Sequence, residues 1–576
     1  MTATLVLLSI GVLLVLLISG RVAPAPLFVS WAVGFHLLGL VDQRALLGSY
    51  TNSALATLVL LLLVSLALER SPLLDRLSAT LLKGRPGFAV LRLSGLTAML
   101  SAFLNNTAVV GALLGVVARQ KFISPSRLLI PLSYASVLGG VTTLVGTSTN
   151  LVVNSFVVEA GLPPIQMFDL AWAGVPIALG CIVVLALSSR LLPAHDVDVR
   201  EAIQRYVLEA RVMEGSPLAG KTIEENRMRG LEGLFLLQIE RQGHLISPVG
   251  PDEMLEEGDL LIFTGEVDKV SSLRQFAGLQ FFGNGAESLL RSNLVEVVVV
   301  GESELINKTL RQVDFRTMFD AGVVGIRRGE QQIGGQLGRV QIRAGDCLLL
   351  AVGNDFAQHR NLDRNFVLVS GAPIRPRLTA LQSRVTLSGF AAVVLFATLG
   401  WLPLFSGLLL FAGGLLLSGV LTFGEVRRRF PFELVLIIGS ALTVARVLES
   451  SGAAQLVADA IQFVFSGYGV WGAFVGVYLL TLLLSEIVTN NAAAALAFPI
   501  GLAAARAFGV DPTPFILIVC YGASACFMIP FGYQTHLMVF SPGRYKVLDF
   551  VRVGAPVSLT YSLIALVTVP FFFPFN

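Results

Sequence analysis

Long apolar runs dominate both ends of this 576-residue chain, with a polar stretch between them. A helix needs about 20 consecutive apolar residues to cross a bilayer. In the first part of the chain, apolar runs that approach or exceed this length lie near residues 4–20, 24–41, 54–69, 130–159 and 168–192. The pattern resumes after residue 380, whereas residues 195–375 have the composition of a soluble protein. The pattern therefore predicts an α-helical polytopic membrane protein with a soluble insertion.

Composition and charge narrow the classes of function. Hydrophobic residues make up 54% of the chain and charged residues 14%, as expected for a membrane protein. The net charge is only +3 and the densest basic run is Arg427 to Arg429, so the sequence predicts no nucleic-acid partner. The sequence contains no recognisable nucleophile–base pair, metal-ligand spacing or phosphate loop. We therefore expect a protein that is not an enzyme.

The insertion contains a repeat whose two copies lie 87 residues apart. "SPLAGKT" at 216–222 matches "SELINKT" at 303–309, and "EEGDLLIFTG" at 256–265 matches "RAGDCLLLAVG" at 343–353. Each copy predicts short strands, a helical segment around the Lys-Thr pair, and a Gly-Asp turn before a strand. Two small α/β modules in tandem are expected. The chain then divides into two membrane parts and two modules, at 1–192, 200–285, 286–371 and 376–576.

Both copies resemble the TrkA-C fold, the C-terminal regulatory module of potassium-uptake regulators. The resemblance implies either dimerisation alone or the binding of a small-molecule regulator, and we expect a homodimer. The stretch "VVVVGESEL" at 297–305 lacks the spacing G-x-G-x-x-G, so the sequence predicts no dinucleotide site there.

The membrane part is itself duplicated. "SAFLNNTA" at 101–108 aligns with "SEIVTNNA" at 485–492 at an offset of 384 residues, and "GTSTNL" at 146–151 corresponds to "GYQTHL" at 532–537. Five Lys or Arg residues lie between 70 and 92, whereas the corresponding stretch 450–505 contains none. Because basic residues concentrate in cytoplasmic loops, we expect two repeats of inverted topology with the insertion in the cytoplasm.

Side-chain amides lie in the middle of apolar sequence in both repeats. Asn105, Asn106 and Thr107 align in order with the polar residues Thr489, Asn490 and Asn491. An unsatisfied amide in hydrocarbon costs several kcal/mol, and non-helical backbone at that depth is tolerated where it lines a cavity. Asn residues that only join helices are the alternative, but the duplication favours a binding site at the tips of two re-entrant hairpins, the first at about 88–119.

Two further stretches have the composition of discontinuous helices. Residues 139–150 and 522–536 are rich in Gly, Thr, Ser and Pro. In inverted-repeat transporters, such broken helices supply loose carbonyl groups for a cation and helix N-termini for an anion. Each repeat is therefore predicted to contain one re-entrant hairpin and one broken helix that meet at a common site.

These motifs resemble the divalent anion:sodium symporter family, within the ion transporter superfamily, over residues 1–192 and 375–576. That family carries Ser-Asn-Thr at each hairpin tip and a loop similar to Gly-Thr-Pro-Pro-Asn in each broken helix. Here the tips read Asn-Asn-Thr at 105–107 and Thr-Asn-Asn at 489–491, and the loops read Gly-Thr-Ser-Thr-Asn and Gly-Tyr-Gln-Thr-His. The central Asn and its polar neighbours match.

The resemblance implies two sodium sites that flank one anion site. The implied sodium ligands are Ser101, Asn105, Asn106, Gly146, Ser485, Thr489, Asn490 and Gly532. The implied anion-binding residues are Asn106, Thr107, Thr147, Ser148, Asn490, Asn491, Tyr533 and Gln534. Neither tip and neither loop contains Lys or Arg, so sodium ions would neutralise a bound dianion.

Departures from the family pattern bear on the substrate. Both Pro-Pro pairs are missing, and Tyr533-Gln534 is bulkier than Thr-Pro, which favours a compact oxyanion such as sulfate over a four-carbon dicarboxylate. The implied function is sodium-coupled symport in the cell membrane by an elevator-type movement. The alternatives are a sodium- or proton-coupled di- or tricarboxylate transporter, an oxyanion efflux permease and, with least support, an ion channel. His536 is expected to donate a hydrogen bond, with a proton-sensitive role as the alternative.

Overall fold

The computed structural model consists of two sets of helices separated by two small antiparallel sheets. It describes residues 3–19, 22–68, 70, 86–120, 123–194, 207–228, 234–242, 244–246, 249–265, 276–282, 294–301, 303–333, 337–352, 356, 359, 361–369, 378–464 and 466–576. Most of the predicted part boundaries lie outside these residues, namely 200, 285, 286, 371 and 376. The basic residues Arg76, Lys83, Arg85 and Lys121 also lie outside them.

The helices of the two membrane parts follow one another in matching order. The first part contains Ala3–Ser19, Pro24–Leu37, Gln43–Tyr50, Ser53–Leu68, Pro86–Ser101, Asn106–Arg119, Leu129–Gly140, Ser148–Glu159 and Ala171–Ser188. The second contains Ala380–Thr398, Leu404–Leu417, Phe423–Arg429, Phe432–Ser450, Ala453–Val464, Gly469–Ile487, Asn490–Phe508, Thr513–Ala523, Gln534–Phe540 and Val547–Phe572. Among the described residues, 6 helical stretches are long and apolar enough to cross a membrane. The chain is a helical polytopic membrane protein, as predicted.

Local sequence explains the matching helix boundaries. Asp42 accepts a hydrogen bond from the Ala45 amide (2.8 Å) and caps the short helix that begins at Gln43. Thr422, 380 residues later, caps the corresponding helix through a capping box with Glu425. Side chains of this kind satisfy amide groups that a helix start leaves unpaired.

Both predicted hairpins and both predicted helix breaks are present. Hairpin 1 comprises Pro86–Ser101 and Asn106–Arg119, and hairpin 2 comprises Gly469–Ile487 and Asn490–Phe508. Broken helix 1 comprises Leu129–Gly140 and Ser148–Glu159, with residues 141–147 between its halves, and broken helix 2 comprises Thr513–Ala523 and Gln534–Phe540, with residues 524–533 between them. A methyl group at Gly139 would lie 2.1 Å from the carbonyl oxygen of Ala98, so this glycine lets broken helix 1 pack directly on hairpin 1.

The insertion contains two sheets of identical topology. Module 1 has strands β1 Val207–Val212, β2 Leu234–Arg241, β3 His244–Ile246, β4 Leu260–Gly265 and β5 Leu279–Phe282. Module 2 has β6 Leu294–Val299, β7 Ala321–Arg328, β8 Gln331–Ile333, β9 Cys347–Val352 and β10 Phe366–Leu368. The strand orders are β3-β2-β4-β1-β5 and β8-β7-β9-β6-β10. Every strand of module 2 begins 87 residues after its counterpart, which confirms the predicted duplication.

Equivalent ion pairs between an arginine and an aspartate hold the same turn in the two modules. Arg241 donates two hydrogen bonds to the carboxylate of Asp259 (both 2.9 Å), and Arg328 does the same to Asp346 (both 2.7 Å). Each aspartate follows the Gly of the predicted Gly-Asp turn and is fully buried or nearly so. The paired charges raise the pKa of both guanidinium groups above the usual value, chiefly through these hydrogen bonds.

The helix predicted around each Lys-Thr pair is wrong. Residues 217–221 and 304–307 form turns, and Thr222 and Thr309 each make an isolated β-bridge instead. Gly220 has φ +77° and Asn307, its counterpart, has φ +62°. A left-handed residue at this position ends any right-handed helix.

Candidate functional site

The two hairpin tips have the same internal contact between a serine and an asparagine. Oγ of Ser101 lies 2.6 Å from the side-chain amide of Asn106, and Oγ of Ser485, which donates to the carbonyl oxygen of Ala523 (2.6 Å), lies 3.1 Å from the side-chain amide of Asn490. The preceding residues, Asn105 and Thr489, cap the helices that Asn106 and Asn490 begin. Each central Asn thus lies in the first turn of a helix, where the amide groups are positively polarised.

The two helix breaks are also built alike. A methyl group at Gly146 would lie 2.5 Å from the carbonyl oxygen of Gly140, and one at Gly532 would lie 2.2 Å from Sγ of Cys526. Both contacts are between residues six positions apart and 386 residues separate the two pairs. At Gly146 the neighbour is backbone, so only glycine allows the chain to fold back this closely, whereas Gly532 packs against the side chain of Cys526.

A side chain ten residues downstream closes each break. Nδ2 of Asn150 donates to the carbonyl oxygen of Gly140 (3.2 Å), and Nε2 of His536 bonds to the carbonyl oxygen of Cys526 (2.8 Å). Nδ1 of His536 bonds to Oγ of Ser133 (2.7 Å). A carbonyl only accepts, so Nε2 carries the proton and Nδ1 accepts from Ser133. This geometry agrees with the predicted donor role of His536.

Hydrogen bonds join the two repeats across the site. The side-chain amide of Asn106 is hydrogen-bonded to the hydroxyl of half-buried Tyr533 (2.6 Å), which also lies 3.4 Å from Oγ1 of Thr147. The other links run from Oγ of Ser148 to Oδ1 of Asn491 (3.3 Å) and from Oγ1 of Thr107 to Oε1 of Gln534 (3.2 Å). Seven of the eight predicted anion-binding residues therefore meet across the repeats. The eighth, Asn490, lies at the tip of hairpin 2 beside Ser485.

The amide of Asn106 lies in a cluster of oxygen atoms. Its Oδ1 is 3.0 Å from the carbonyl oxygen of Ser136 and 3.3 Å from that of Gly146, besides Oγ of Ser101 at 2.6 Å. Acceptors this close repel one another unless a positive group lies among them. Two arrangements satisfy the cluster: the amide turns so that its nitrogen donates to both carbonyls, or a cation binds between the oxygens.

The tip of hairpin 2 contains a buried side-chain amide group whose N–H has no acceptor among the described residues. Nδ2 of Asn490 is buried and makes no hydrogen bond within the described part of the chain. The hydroxyls of Ser524 and Thr535, in and after the second break, share this property. A buried polar group without a partner costs about 1–3 kcal/mol, so a ligand that accepts from Asn490 would be stabilised.

Glu486 is a site residue that sequence reasoning did not predict. Its Oε1 accepts from the amides of Phe527 and Met528 (both 3.2 Å), and its Oε2 accepts from Sγ of Cys526 (3.4 Å). The carboxylate thus ties hairpin 2 to the second break. The signal was present in the sequence, because an acidic residue inside an apolar helix indicates a functional position. Its counterpart in the first repeat is Ala102.

A cavity of about 180 Å³ opens beside the second predicted sodium set. Its walls are formed by Leu17, Pro24, Glu486, Ile487, Val488, Thr489, Phe531 and Gly532. The cavity therefore connects two predicted sodium ligands, Thr489 and Gly532, with the carboxylate of Glu486. The ion pairs of the described membrane helices lie elsewhere and include those of Arg446 with Glu159, Arg506 with Glu449 and Arg70 with Glu425.

The chain is similar in sequence to known membrane transporters. The model of the citrate transporter family (CitMHS) matches residues 4–522. An uncharacterized transporter of Synechocystis is 31% identical, over 92% of this chain and 91% of its own length. A putative sulfur deprivation response regulator of Chlamydomonas reinhardtii is 31% identical over 93% and 95%. Sodium/sulfate cotransporter 1 of the same alga is 31% identical over 63% of this chain and 43% of its own length.

The broken helices, the paired tips and these matches define a membrane transporter. The chain belongs to the citrate transporter family, and its relatives include proteins named sodium/sulfate cotransporters.

Proposed function

We propose that this protein is a sodium-coupled symporter of sulfate or a similarly compact dianion. The observation that carries the proposal is the cluster of oxygens around one end of the Asn106 amide, where the hydroxyl of Ser101 and the carbonyls of Ser136 and Gly146 all lie within 3.3 Å of the same amide atom. Ser, Asn and carbonyl oxygens are the hard neutral ligands that suit an alkali cation. In this role Ser101, Asn105, Asn106 and Gly146 hold one sodium ion as cargo, and Ser485, Thr489, Asn490 and Gly532 hold the other.

The Asn106 amide also couples the two cargoes. With sodium among the oxygens, Oδ1 faces the cation and Nδ2 faces Tyr533, where an anion accepts its hydrogen bond. Without sodium, the turned amide satisfies the carbonyls of Ser136 and Gly146 and presents its oxygen to the anion site. That oxygen repels an anion. Sodium therefore binds first, and its binding creates the donor that the anion needs.

Charge balance supports the same proposal. The site contains amide and hydroxyl donors but no Lys or Arg among the residues that form it. A dianion away from water is unstable unless positive charge lies nearby. Two sodium ions supply that charge, and the buried Nδ2 of Asn490 supplies one more donor. The names of the sodium/sulfate cotransporters among the relatives point the same way.

The size of the site favours sulfate over citrate. The ring of Tyr533 and the side chain of Gln534 lie between the repeats, and the hydroxyl of Tyr533 contacts both Asn106 and Thr147. Hydrogen bonds of 2.6–3.3 Å join each hairpin tip to the helix break of the other repeat, which leaves little room between them. A compact tetrahedral anion fits such a site with less displacement than a tricarboxylate, which is the alternative substrate that the family description suggests.

Transport itself is proposed to move the hairpins and broken helices as one unit against the remaining helices. The two repeats have inverted topology in this proposal, the insertion faces the cytoplasm of the cell, and two copies form a homodimer. A small-molecule regulator would bind at the TrkA-C-like modules.

Uptake of labelled sulfate into proteoliposomes tests the function. We expect uptake to require an inward sodium gradient and to fall to background when choline replaces sodium. Competition by sulfate, thiosulfate, molybdate, phosphate, succinate and citrate then ranks the anions. Uptake that continues in choline would contradict sodium coupling, and stronger competition by citrate than by thiosulfate would contradict the substrate assignment.

A further inference from the structure

The two modules have the same fold but different surroundings. In module 2, Val298, Cys347 and Val369 are buried in the hydrophobic core that the membrane helices form. In module 1 the residue equivalent to Val298 is Arg211, which is exposed. Val367 of β10, which pairs with Val298, likewise has Gln280 as its exposed counterpart. Module 2 therefore presents an apolar sheet face to the membrane helices.

The charged groups on this face are neutralised within module 2. Arg327 donates to Oε1 of Glu296 (2.7 Å), and the thiol of Cys347 donates to the same oxygen (3.0 Å). Burial, reinforced by the Glu296 carboxylate, raises the pKa of the Cys347 thiol well above its usual value. The thiol stays protonated and packs as a small apolar group.

Glycines of module 2 bring its backbone onto broken helix 2. A methyl group at Gly329 would lie 2.9 Å from the ring of Phe540, and one at Gly345 would lie 3.1 Å from the carbonyl oxygen of Leu537. In module 1 the equivalent of Gly329 is the exposed Gln242. The equivalent of Gly345 is Gly258, where a methyl group would have nothing within 4 Å.

Polar contacts complete this interface. Ser541 is fully buried, accepts from the Gly329 amide (3.0 Å) and donates to the carbonyl oxygen of Gly345. At the rim, Nζ of Lys546 lies 3.2 Å from Oε2 of Glu330. These bonds hold module 2 directly behind the short helix Gln534–Phe540.

Module 2 also contacts hairpin 1 and an implied anion-binding residue. A methyl group at Gly111 would lie 3.9 Å from Cγ1 of Val367 and 3.4 Å from Cε of Met538. One at Gly301 would lie 3.7 Å from both Cγ and Nε2 of Gln534. Hairpin 1, broken helix 2 and module 2 thus meet at one junction next to the Thr107–Gln534 bond.

We infer that module 2 is an autoinhibitory clamp that holds hairpin 1 against broken helix 2 on one side of the site. The inference rests on the proposed transport function. Thr107 and Gln534 belong to different repeats, so a local opening between their elements has to accompany the movement of the whole unit before an anion leaves on this side. Module 2 is bonded to broken helix 2 through the buried Ser541 and contacts hairpin 1 through Val367, so hairpin 1 is the element that it has to release for the site to open. Module 1 has the polar residues Arg211, Gln242 and Gln280 at three of the equivalent positions and makes no such bridge through them.

A reversible cross-link tests the clamp. The double variant Gly111→Cys with Val367→Cys places two thiols at the junction, where a methyl group at Gly111 would lie 3.9 Å from Cγ1 of Val367. We expect oxidation to lower sulfate uptake by about tenfold or more, since a locked gate leaves only the unlinked fraction active, and dithiothreitol to restore it. Each single cysteine variant, oxidised in parallel, is the control. Uptake that is unchanged in protein shown by mass spectrometry to be cross-linked would overturn the inference.

Loosening the clamp should have the opposite effect. Gly329→Gln places against Phe540 the residue that module 1 carries at position 242, where the same fold accepts it at φ +51°. We expect uptake to rise by about threefold or more, because a destabilisation of about 0.7 kcal/mol at the interface shifts a closed–open equilibrium that far. Gln242→Gly is the matched control and should leave uptake unchanged. A loss of uptake in Gly329→Gln, with the protein monodisperse, would mean that module 2 only supports the fold.

Hydrogen exchange separates failure of the clamp from failure of the proposed function. In Gly329→Gln, amides of residues 534–545 should exchange about tenfold faster if the interface is released, whatever anion the protein carries. Faster exchange with no sulfate uptake in any variant would overturn the proposed substrate and leave the clamp standing. Unchanged exchange would overturn the clamp alone.

Discussion

In the first repeat the amide of Asn150 closes the helix break, whereas in the second the imidazole of His536 bonds to the matching carbonyl. The backbone follows the same course in both, with Gly146 and Gly532 at the point of closest approach. The two repeats differ in the side chains that project from this frame. Tyr533 replaces Thr147, and Glu486 replaces Ala102.

The features that the two repeats share suit cation binding, and the features in which they differ suit anion recognition. In the proposed function a cation needs a small cage of oxygens, and each repeat is proposed to supply one from its tip and its break. One anion bound between two such cages meets two non-equivalent halves, so its recognition depends on the positions where the repeats differ. Variants that remove a shared feature should therefore abolish transport, whereas variants at differing positions should change selectivity.

Removal of the shared amide should have the largest effect. Asn106→Ala deletes both the oxygen proposed for sodium and the donor proposed for the anion. We expect sodium-stimulated sulfate uptake to fall by about 100-fold or more, since two interactions to charged groups of about 1.5–3 kcal/mol each are lost. Asn490→Ala should have the same effect at the second tip. Both variants should elute from a sizing column like the parent protein, and uptake near the parental rate in either would contradict the site.

Asn106→Asp separates the two proposed roles of this side chain. The carboxylate retains an oxygen for sodium but has no N–H for the anion. We expect sodium to raise the melting temperature of the variant as it does for the parent, while the KM for sulfate rises by about 30-fold, the cost of a lost donor plus repulsion between like charges. If sulfate still binds with parental affinity, the Asn106 amide does not contact the anion.

The sequence predicts the local elements of the site, the hairpins and the helix breaks, better than the contacts between distant residues. The hairpins and breaks follow from local composition and from alignment of the repeats, so their positions were predictable. The pairing of Thr107 with Gln534 connects residues 427 positions apart, and only the resemblance to a known family indicated it. Apolar periodicity alone does not show which helices meet.

Other features escaped sequence reasoning for physical reasons. The turns at Gly220 and Asn307 depend on a left-handed backbone that composition does not encode at Asn307. The role of Glu486 depends on amides at residues 527 and 528 that a helix break exposes. The contact of module 2 with the membrane helices depends on single exchanges between the modules, such as Gln242 for Gly329, that matter only once the two surfaces are docked.

Tyr533 tests a position where the repeats differ. Tyr533→Phe removes the hydroxyl that contacts Asn106 and Thr147 and keeps the ring that limits the size of the site. We expect the KM for sulfate to rise by about tenfold, the equivalent of one hydrogen bond of about 1.4 kcal/mol. Tyr533→Thr, which restores the first-repeat residue, should in addition let succinate compete. If succinate does not compete with either variant, the ring does not set the size limit.

His536→Asn should have the smallest effect, because it installs in the second break the residue that closes the first. The Asn amide donates to the carbonyl of Cys526 as Asn150 does to Gly140, and only the bond to Ser133 is lost. A buried hydroxyl without a partner costs about 1 kcal/mol, so uptake should change by no more than about fivefold, together with a lower melting temperature. His536→Leu leaves the Cys526 carbonyl without its donor and should impair uptake far more.

Uptake by His536→Asn should also follow external pH between 6 and 8 as the parent does, at about the same slope. If that pH dependence disappears while sodium dependence is retained, His536 binds a transported proton, and the imidazole is more than a substitute for an amide.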